Sequence, residues 1–260
     1  MTNKKIIINA DDLGRSPEIN NAILSSFQKG LITDMSVMVT CENGIDDLKK
    51  KLAHSVDCLD AVGCHLCLTL GNPLTDEMKG LKWVDNEGQY IDVFRVPKSI
   101  FFNKRERDII YKEFEAQLLY VRNTLNLTVN HLDSHQHIHF GLDLLPIVVK
   151  LCKKENIHYL RIPSCNKGLS IKSRIATRLK IIYIKLHGIK TVDFFGSPLQ
   201  IMSFADESKK LVEAMVHPMF NSKGEIVNKV RIHKPDDCEL LEKQVENLSY
   251  FTKEKFSSLV

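Results

Sequence analysis

Three consecutive isoleucines, Ile6, Ile7 and Ile8, constrain the fold of this chain more than any other feature. Side chains of a strand alternate between its two faces, so an unbroken apolar run requires both faces to be covered. The run from Lys4 to Ala10 is therefore read as a strand of a parallel sheet. It ends abruptly on two adjacent carboxylates, Asp11 and Asp12. Like charges side by side repel, and each resists leaving water.

The remainder of the chain alternates in the same way. Ser16-Pro17 marks a helix start, Ile19, Ile23 and Phe27 recur at four-residue spacing, and Gly30 closes that helix. Strands are expected at 35–40, 61–68, 128–133, 159–162 and 192–195. Helices are expected at 45–54, 104–125, 142–155 and 171–187. The stretch 204–216 is ambiguous, although its 213–216 end looks strand-like, and a charged helix at about 237–251 finishes the chain. Residues 70–102, rich in Gly and Pro around Trp83, read as a long loop of the kind that forms lids or binding walls. The pattern predicts an α/β fold, a distorted or incomplete (β/α) barrel. With no repeat or linker, residues 1–260 form one domain.

Composition narrows the class. A chain of 260 residues that is 43% hydrophobic can bury a large core. Its net charge of +4, from 36 basic and 32 acidic residues, makes no case for nucleic acid or an anionic membrane as partner. No apolar window approaches a membrane span, and the N-terminus is too weakly apolar for a signal peptide. Seven scattered cysteines suit reduced thiols. A cytoplasmic protein is expected; self-association into a homodimer is left open.

Four motifs carry chemistry. In a barrel, functional groups collect at the C-terminal ends of strands, where Asp11 and Asp12 fall. Taken alone, the pair reads as an Asx turn. "HLDSHQHIH" (131–139) changes the odds, placing His131, Asp133, His135, His137 and His139 at every second position. If the backbone stays extended, all five project to one face, and imidazole is the commonest metal ligand. For His137 and His139 individually, structural hydrogen bonding is the better reading, because a catalytic metal takes few protein ligands. "VGCHLCLTL" (62–70) sets His65 at a strand end, with Cys64 and Cys67 on opposite faces as core residues. "EAMVHPMF" (213–220) sets His217 before Pro218, at a strand-to-loop junction. Arg161, in "YLRIP", either binds substrate or pairs with an acid. The chain has no HExxH, G-x-S-x-G, GxGxxG or GxxxxGK[ST] motif.

Together "NADDLG" (9–14), "GCHLCLT" (63–69), "HLDSHQHIH" and "VHP" (216–218) resemble the YdjC-like carbohydrate deacetylase family, which includes chitooligosaccharide deacetylases. The resemblance implies a distorted (β/α) barrel and one divalent metal ion, magnesium or zinc. Carried over by motif, the ligands are Asp12, His65 and His135, the general base is Asp11, and His217 is a candidate general acid. The implied substrate is a small N-acetylated oligosaccharide. The rival readings are hydrolysis of another amide or ester, and sugar binding around a structural metal.

Overall fold

β1 (Lys5–Leu13) lies inside a curled parallel sheet, and its isoleucines divide between two compartments. The computed structural model describes residues 4–53, 60–91, 102–162, 170–204, 210–229 and 234–259. Ile6 and Ile8 belong to the large cluster under the outer helices, whereas Ile7 faces inward with Tyr159, Ile162, Val192, Phe195 and Phe256. All three are fully buried, each contributing about 1.5–3 kcal/mol of apolar burial. Their unbroken run is thus explained by covered faces on both sides.

On one flank of β1 stand β2 (Asp34–Val37), β3 (Val62–Leu66), β4 (Val129–Ser134) and β5 (Tyr159–Leu160), in that order. On the other stand β7 (Leu211–Val216) and then β6 (Phe194–Gly196), giving the order β5-β4-β3-β2-β1-β7-β6 with every pairing parallel. The two outer strands approach one another. Lys190 bridges to Tyr159, donating to His158 O and accepting from Leu160 N, while the same segment ends in β6 on β7. The sheet is a curled half-barrel, as the alternation predicts.

The connecting helices are α1 (Pro17–Gln28), α2 (Glu42–Leu52), the single turn α3 (Asp76–Lys79), α4 (Lys104–Leu119), α5 (Leu144–Lys154), α6 (Ile171–Leu186) and α7 (Pro198–Phe204). Ser16 caps α1, its hydroxyl accepting from Ile19 N, with Pro17 in the first turn. Asn103 and Glu106 form a reciprocal capping box at the start of α4. After β7 comes a hairpin of β8 (Pro218–Phe220) and β9 (Ile226–Asn228), which carries no long apolar run to announce it.

The C-terminus departs from expectation. Instead of one charged helix at about 237–251, a short turn at Pro235–Asp237 precedes α8 (Leu241–Glu246), and the chain then extends as β10 (Thr252–Lys253). β2 pairs only with the second half of β1, and β10 fills the slot beside Lys5 and Ile6. Phe256 then enters the barrel and stacks on the His131 ring, with centroids 4.1 Å apart.

The described part of the expected loop, residues 70–91, is anchored rather than loose; residues 92–101 lie outside the described residues. Glu113 of α4, fully buried, accepts hydrogen bonds from Leu74 N, Thr75 N, Thr75 Oγ1, Tyr90 Oη and Gln117 Nε2, all between 2.7 and 3.0 Å. Trp83 packs edge-on against Phe102.

Candidate metal centre

An irregularity in β1 creates the site. β1 pairs with β2 at Asn9↔Asp34, Ala10↔Met35 and Leu13↔Val37, so β1 spends one extra residue between Ala10 and Leu13. Such a bulge bends the strand and re-aims its side chains. Asp12 adopts φ 75°, a left-handed conformation costing a non-glycine residue about 1–3 kcal/mol. In a regular strand Asp11 and Asp12 would face opposite sides. Here both carboxylates gather around His65, whose ring lies within 4.8 Å of each. Gly14 completes the turn at φ 93°, and a Cβ there would stand 2.4 Å from Met38 O.

Asp12, His65 and His135 converge from the ends of β1, β3 and β4. Asp12 Oδ1 lies 3.3 Å from His65 Nε2 and 2.9 Å from His135 Nδ1. The other oxygen, Oδ2, accepts from Arg15 Nη1 at 2.9 Å. Burial pushes the Asp12 carboxyl up, but hydrogen bonds from His135 and His65 outweigh it and hold the group well below its ordinary range. His65 Nδ1 lies 2.8 Å from Asp133 Oδ1. With its proton on Nδ1, His65 offers an Nε2 lone pair to the centre, the carboxylate–histidine arrangement that orients metal ligands. One carboxylate oxygen and two imidazole nitrogens, with Asp12 and His65 buried and His135 partly exposed, form a donor set that suits a divalent ion.

Behind this trio lies a buried ionic cage around Arg161, whose side chain is fully buried. Its Nη1 and Nη2 donate to Asp11 Oδ2 and Oδ1, Nη2 also reaches Asp133 Oδ2, and Nε donates to Glu213 Oε1, each at 2.7 Å. Asn9 Nδ2 adds a bond to Asp11 Oδ1 and another to Ser36 Oγ, and Ser36 donates to Asp133 Oδ2. Burial and the Asp133 charge push Asp11 up, yet Arg161 prevails and its pKa is lowered. Asp11, His65 and Asp133 also cluster within 4.8 Å, but there the guanidinium already supplies the compensating charge. Of the two sequence alternatives for Arg161, the geometry realises pairing with acids. Its side chain is fully buried, and its ion pairs go to Asp11, Asp133 and Glu213.

The histidine-rich run does not stay extended. β4 ends at Ser134, and residues 135–140 form a 3-10 turn in which Gln136 and His137 take φ 55° and 56°. The expected common face therefore holds only at its start. Asp133 and His135 serve the site, and His131 lies beneath it, its Nδ1 against Asn130 Oδ1 and its Nε2 3.3 Å from Ser36 Oγ. Burial lowers His131 to about 4, so it is neutral near pH 7. Gly63 makes room for that ring, since a Cβ would meet His131 Nε2 at 2.3 Å. His139 is held between Ser134 Oγ and Arg161 O, and His137 packs edge-on to Phe195.

β7 runs in register with β1 up to Ala10↔Val216, and His217 is the residue just beyond its end. Its backbone N–H donates to Asn228 Oδ1, and its side chain is half-buried. Arg15 and Glu213 carry roles that motif reading did not assign. A lone acid inside the apolar strand "LVEAMV" was the available signal for Glu213. Cys64 and Cys67 are buried and unpaired, in keeping with core residues.

A curled parallel sheet with a carboxylate–imidazole trio at the C-terminal ends of its strands defines an α/β half-barrel protein with a metal-type donor centre. The chain belongs to the YdjC-like protein family, whose sequence model matches residues 5–260. It is 30% identical over 220 residues to a carbohydrate deacetylase of Vibrio parahaemolyticus, covering 83% of this chain and 78% of the relative. A carbohydrate deacetylase of Brevibacillus brevis is 30% identical over 222 residues, covering 83% and 82%. In fold, the chain matches the crystal structure of a "putative cellobiose-phosphate cleavage protein" from Enterococcus faecalis V583. That match has a TM-score of 0.73, 20% identity and 99% coverage of both chains. Among the described residues no helix is long and apolar enough to cross a membrane.

Proposed function

We propose that this chain is a metal-dependent hydrolase that removes acetyl groups from N-acetylated sugars. The substrates are chitooligosaccharides of the diacetylchitobiose type, and the products are acetate and a free amino sugar. The observation that carries this reading is the convergence of Asp12, His65 and His135 beside a clamped, ionised Asp11, in a family whose relatives are carbohydrate deacetylases.

Asp12, His65 and His135 would hold one divalent ion, magnesium or zinc. When bound, such an ion supplies Lewis acidity, easing deprotonation of water and polarising an acyl carbonyl. Asp11 is the base that takes a proton from the attacking water. Arg161 lowers its basicity but fixes both carboxylate oxygens, and a fixed geometry is itself worth several kcal/mol to a reaction. His217, just past the end of the strand that pairs with β1, protonates the departing amine. The anchored wall at 70–91 shapes the sugar subsite. Unpaired cysteines among the described residues support a cytoplasmic location.

The test is acetate release from N-acetylated mono- and oligosaccharides after chelation and add-back of single metals. Activity restored by one divalent ion on the chitobiose substrate is the expected result. Full activity in the chelated protein would refute the metal requirement, and hydrolysis of only non-sugar amides would refute the substrate class.

A further inference from the structure

The turn that follows His135 is strained, and its side chains make no contact that offsets the strain. Among the described residues, the non-glycine positions with positive φ are Asp12, Asn126, Gln136, His137 and Asn156. The two remote from the candidate centre are asparagines, which tolerate the left-handed region. Gln136 (φ 55°, ψ 19°) and His137 (φ 56°, ψ 31°) are longer, consecutive, and directly joined to a candidate metal ligand. Each such residue costs about 1–3 kcal/mol, and residues of this kind collect at ligand clamps.

Hydrogen bonding separates the two histidines of this turn. His139 is held between Ser134 Oγ and Arg161 O. Gln136 Oε1 and His137 Nδ1, in contrast, are buried without a hydrogen-bond partner. The His137 ring is half-buried, and its Nε2, unlike Nδ1, is not sealed from solvent. A buried acceptor is tolerated without a partner more readily than a buried N–H. Nδ1 is therefore the lone-pair nitrogen and Nε2 carries the proton, which makes the open side of the ring a hydrogen-bond donor.

That donor stands at the candidate centre. The His137 ring meets Phe195 edge-on, with centroids 5.4 Å apart, and the Arg161 guanidinium carbon lies 4.8 Å from the centroid of the same Phe195 ring. The charges that act on His137 are those of Arg161, Asp11, His65 and Asp133. Asp11, Asp12, His65 and His135 present lone pairs, to a proton or to an ion. A sugar also brings hydroxyl and acetyl oxygens, which need donors, and the Arg161 N–H groups are turned inward onto acids. We propose that His137 is a substrate-binding residue whose Nε2–H donates to an oxygen of the sugar held beside Asp11, the left-handed turn serving to aim it. This inference rests on the sugar substrate argued above.

The experiment measures calorimetric binding of diacetylchitobiose to the zinc-loaded full chain carrying Asp11→Asn, which slows turnover, with zinc titration as a second readout. His137→Asn suits a left-handed backbone but is too short to reach the sugar. It should weaken sugar binding about five- to tenfold, the scale of one neutral hydrogen bond. His137→Gln sets an amide N–H near the lost Nε2–H and should recover most of that affinity. Zinc affinity and circular dichroism should match the Asp11→Asn host in both variants. Unchanged sugar binding in His137→Asn overturns the proposal and leaves the deacetylase reading standing. A parallel loss of zinc affinity also overturns it, because His137 would then act only by positioning His135. Failure of His137→Gln to recover binding overturns the donor assignment. A host that binds no diacetylchitobiose overturns the proposal together with the sugar substrate itself.

Discussion

Arg161 and Asp11 meet fork to fork, two parallel hydrogen bonds of 2.7 Å joining residues 150 positions apart in the chain. The same guanidinium reaches Asp133, which in turn holds His65. One cation therefore sets both the proposed base and a proposed metal ligand. Arg161→Lys retains charge but loses the fork. Its turnover should fall about 10²-fold, the scale of a misplacement of about 1 Å. Arg161→Met leaves Asp11, Asp133 and Glu213 buried without a cation, and should lose about 3–5 kcal/mol of stability. Urea melts and initial rates check both.

Asp11 and Asp12 should separate in function. Asp12→Ala removes the oxygen around which His65 and His135 gather, so metal affinity and acetate release should fall together. Asp11→Asn should still bind metal while turnover drops about 10²–10⁴-fold, the range for a positioned base. Calorimetric metal titration beside kinetics distinguishes them. Equal loss of metal in both variants would show that the two carboxylates share one role.

Asp34 gives stability a pH dependence remote from the site. Burial raises its carboxyl from 3.8 to about 7, against weaker opposing contributions from Thr33 and the Phe256 N–H, and Oδ2 has no partner. The folded chain thus holds a proton that the unfolded chain releases near pH 4. Stability contributed by the neutral form is fully present below about pH 4 and declines as pH rises toward 7, at up to about 1.4 kcal/mol per unit. Asp34→Asn removes this slope. Its melting temperature relative to the parent should rise between pH 5 and pH 8; a difference independent of pH would contradict the assignment.

His217→Ala tests the source of the leaving-group proton. An amine departs poorly without protonation, whereas an alkoxide departs more readily. Loss of a general acid should therefore reduce amide hydrolysis far more than hydrolysis of a matching ester. Equal reductions on both substrates would make His217 a positioning residue.

Much of this architecture is legible in residue order, because parallel sheets advertise themselves. Ile6–Ile8, the Ser16-Pro17 cap and the four-residue spacing in α1 all reflect local rules that the packed chain obeys. Asp12 and His65 stand at the ends of apolar runs, whereas His135 follows the polar Asp133-Ser134, and the three are grouped through the motif resemblance. What was hidden depends on backbone events with no simple periodicity. The left-handed turn at Gln136 and His137 broke an alternation that looked regular on paper. The β1 bulge turned two neighbours toward one point. Glu213 is a charge inside an apolar strand and Arg161 one directly after a strand, and their meaning requires knowing which strands are adjacent. β10 leaves no signal in the residue order, because two residues of pairing on β1 carry no pattern of their own.

The bonds converging on Glu113 have a consequence for motion. Leu74 and Thr75 lie outside any helix or strand, yet both amides donate to a carboxylate that solvent does not reach. Amides in irregular segments ordinarily exchange their hydrogens quickly, whereas these two can do so only when the contact with α4 opens. In deuterium oxide the Leu74 and Thr75 amides should outlast their neighbours and exchange together. Glu113→Ala, which removes both acceptor oxygens, should release them both at once.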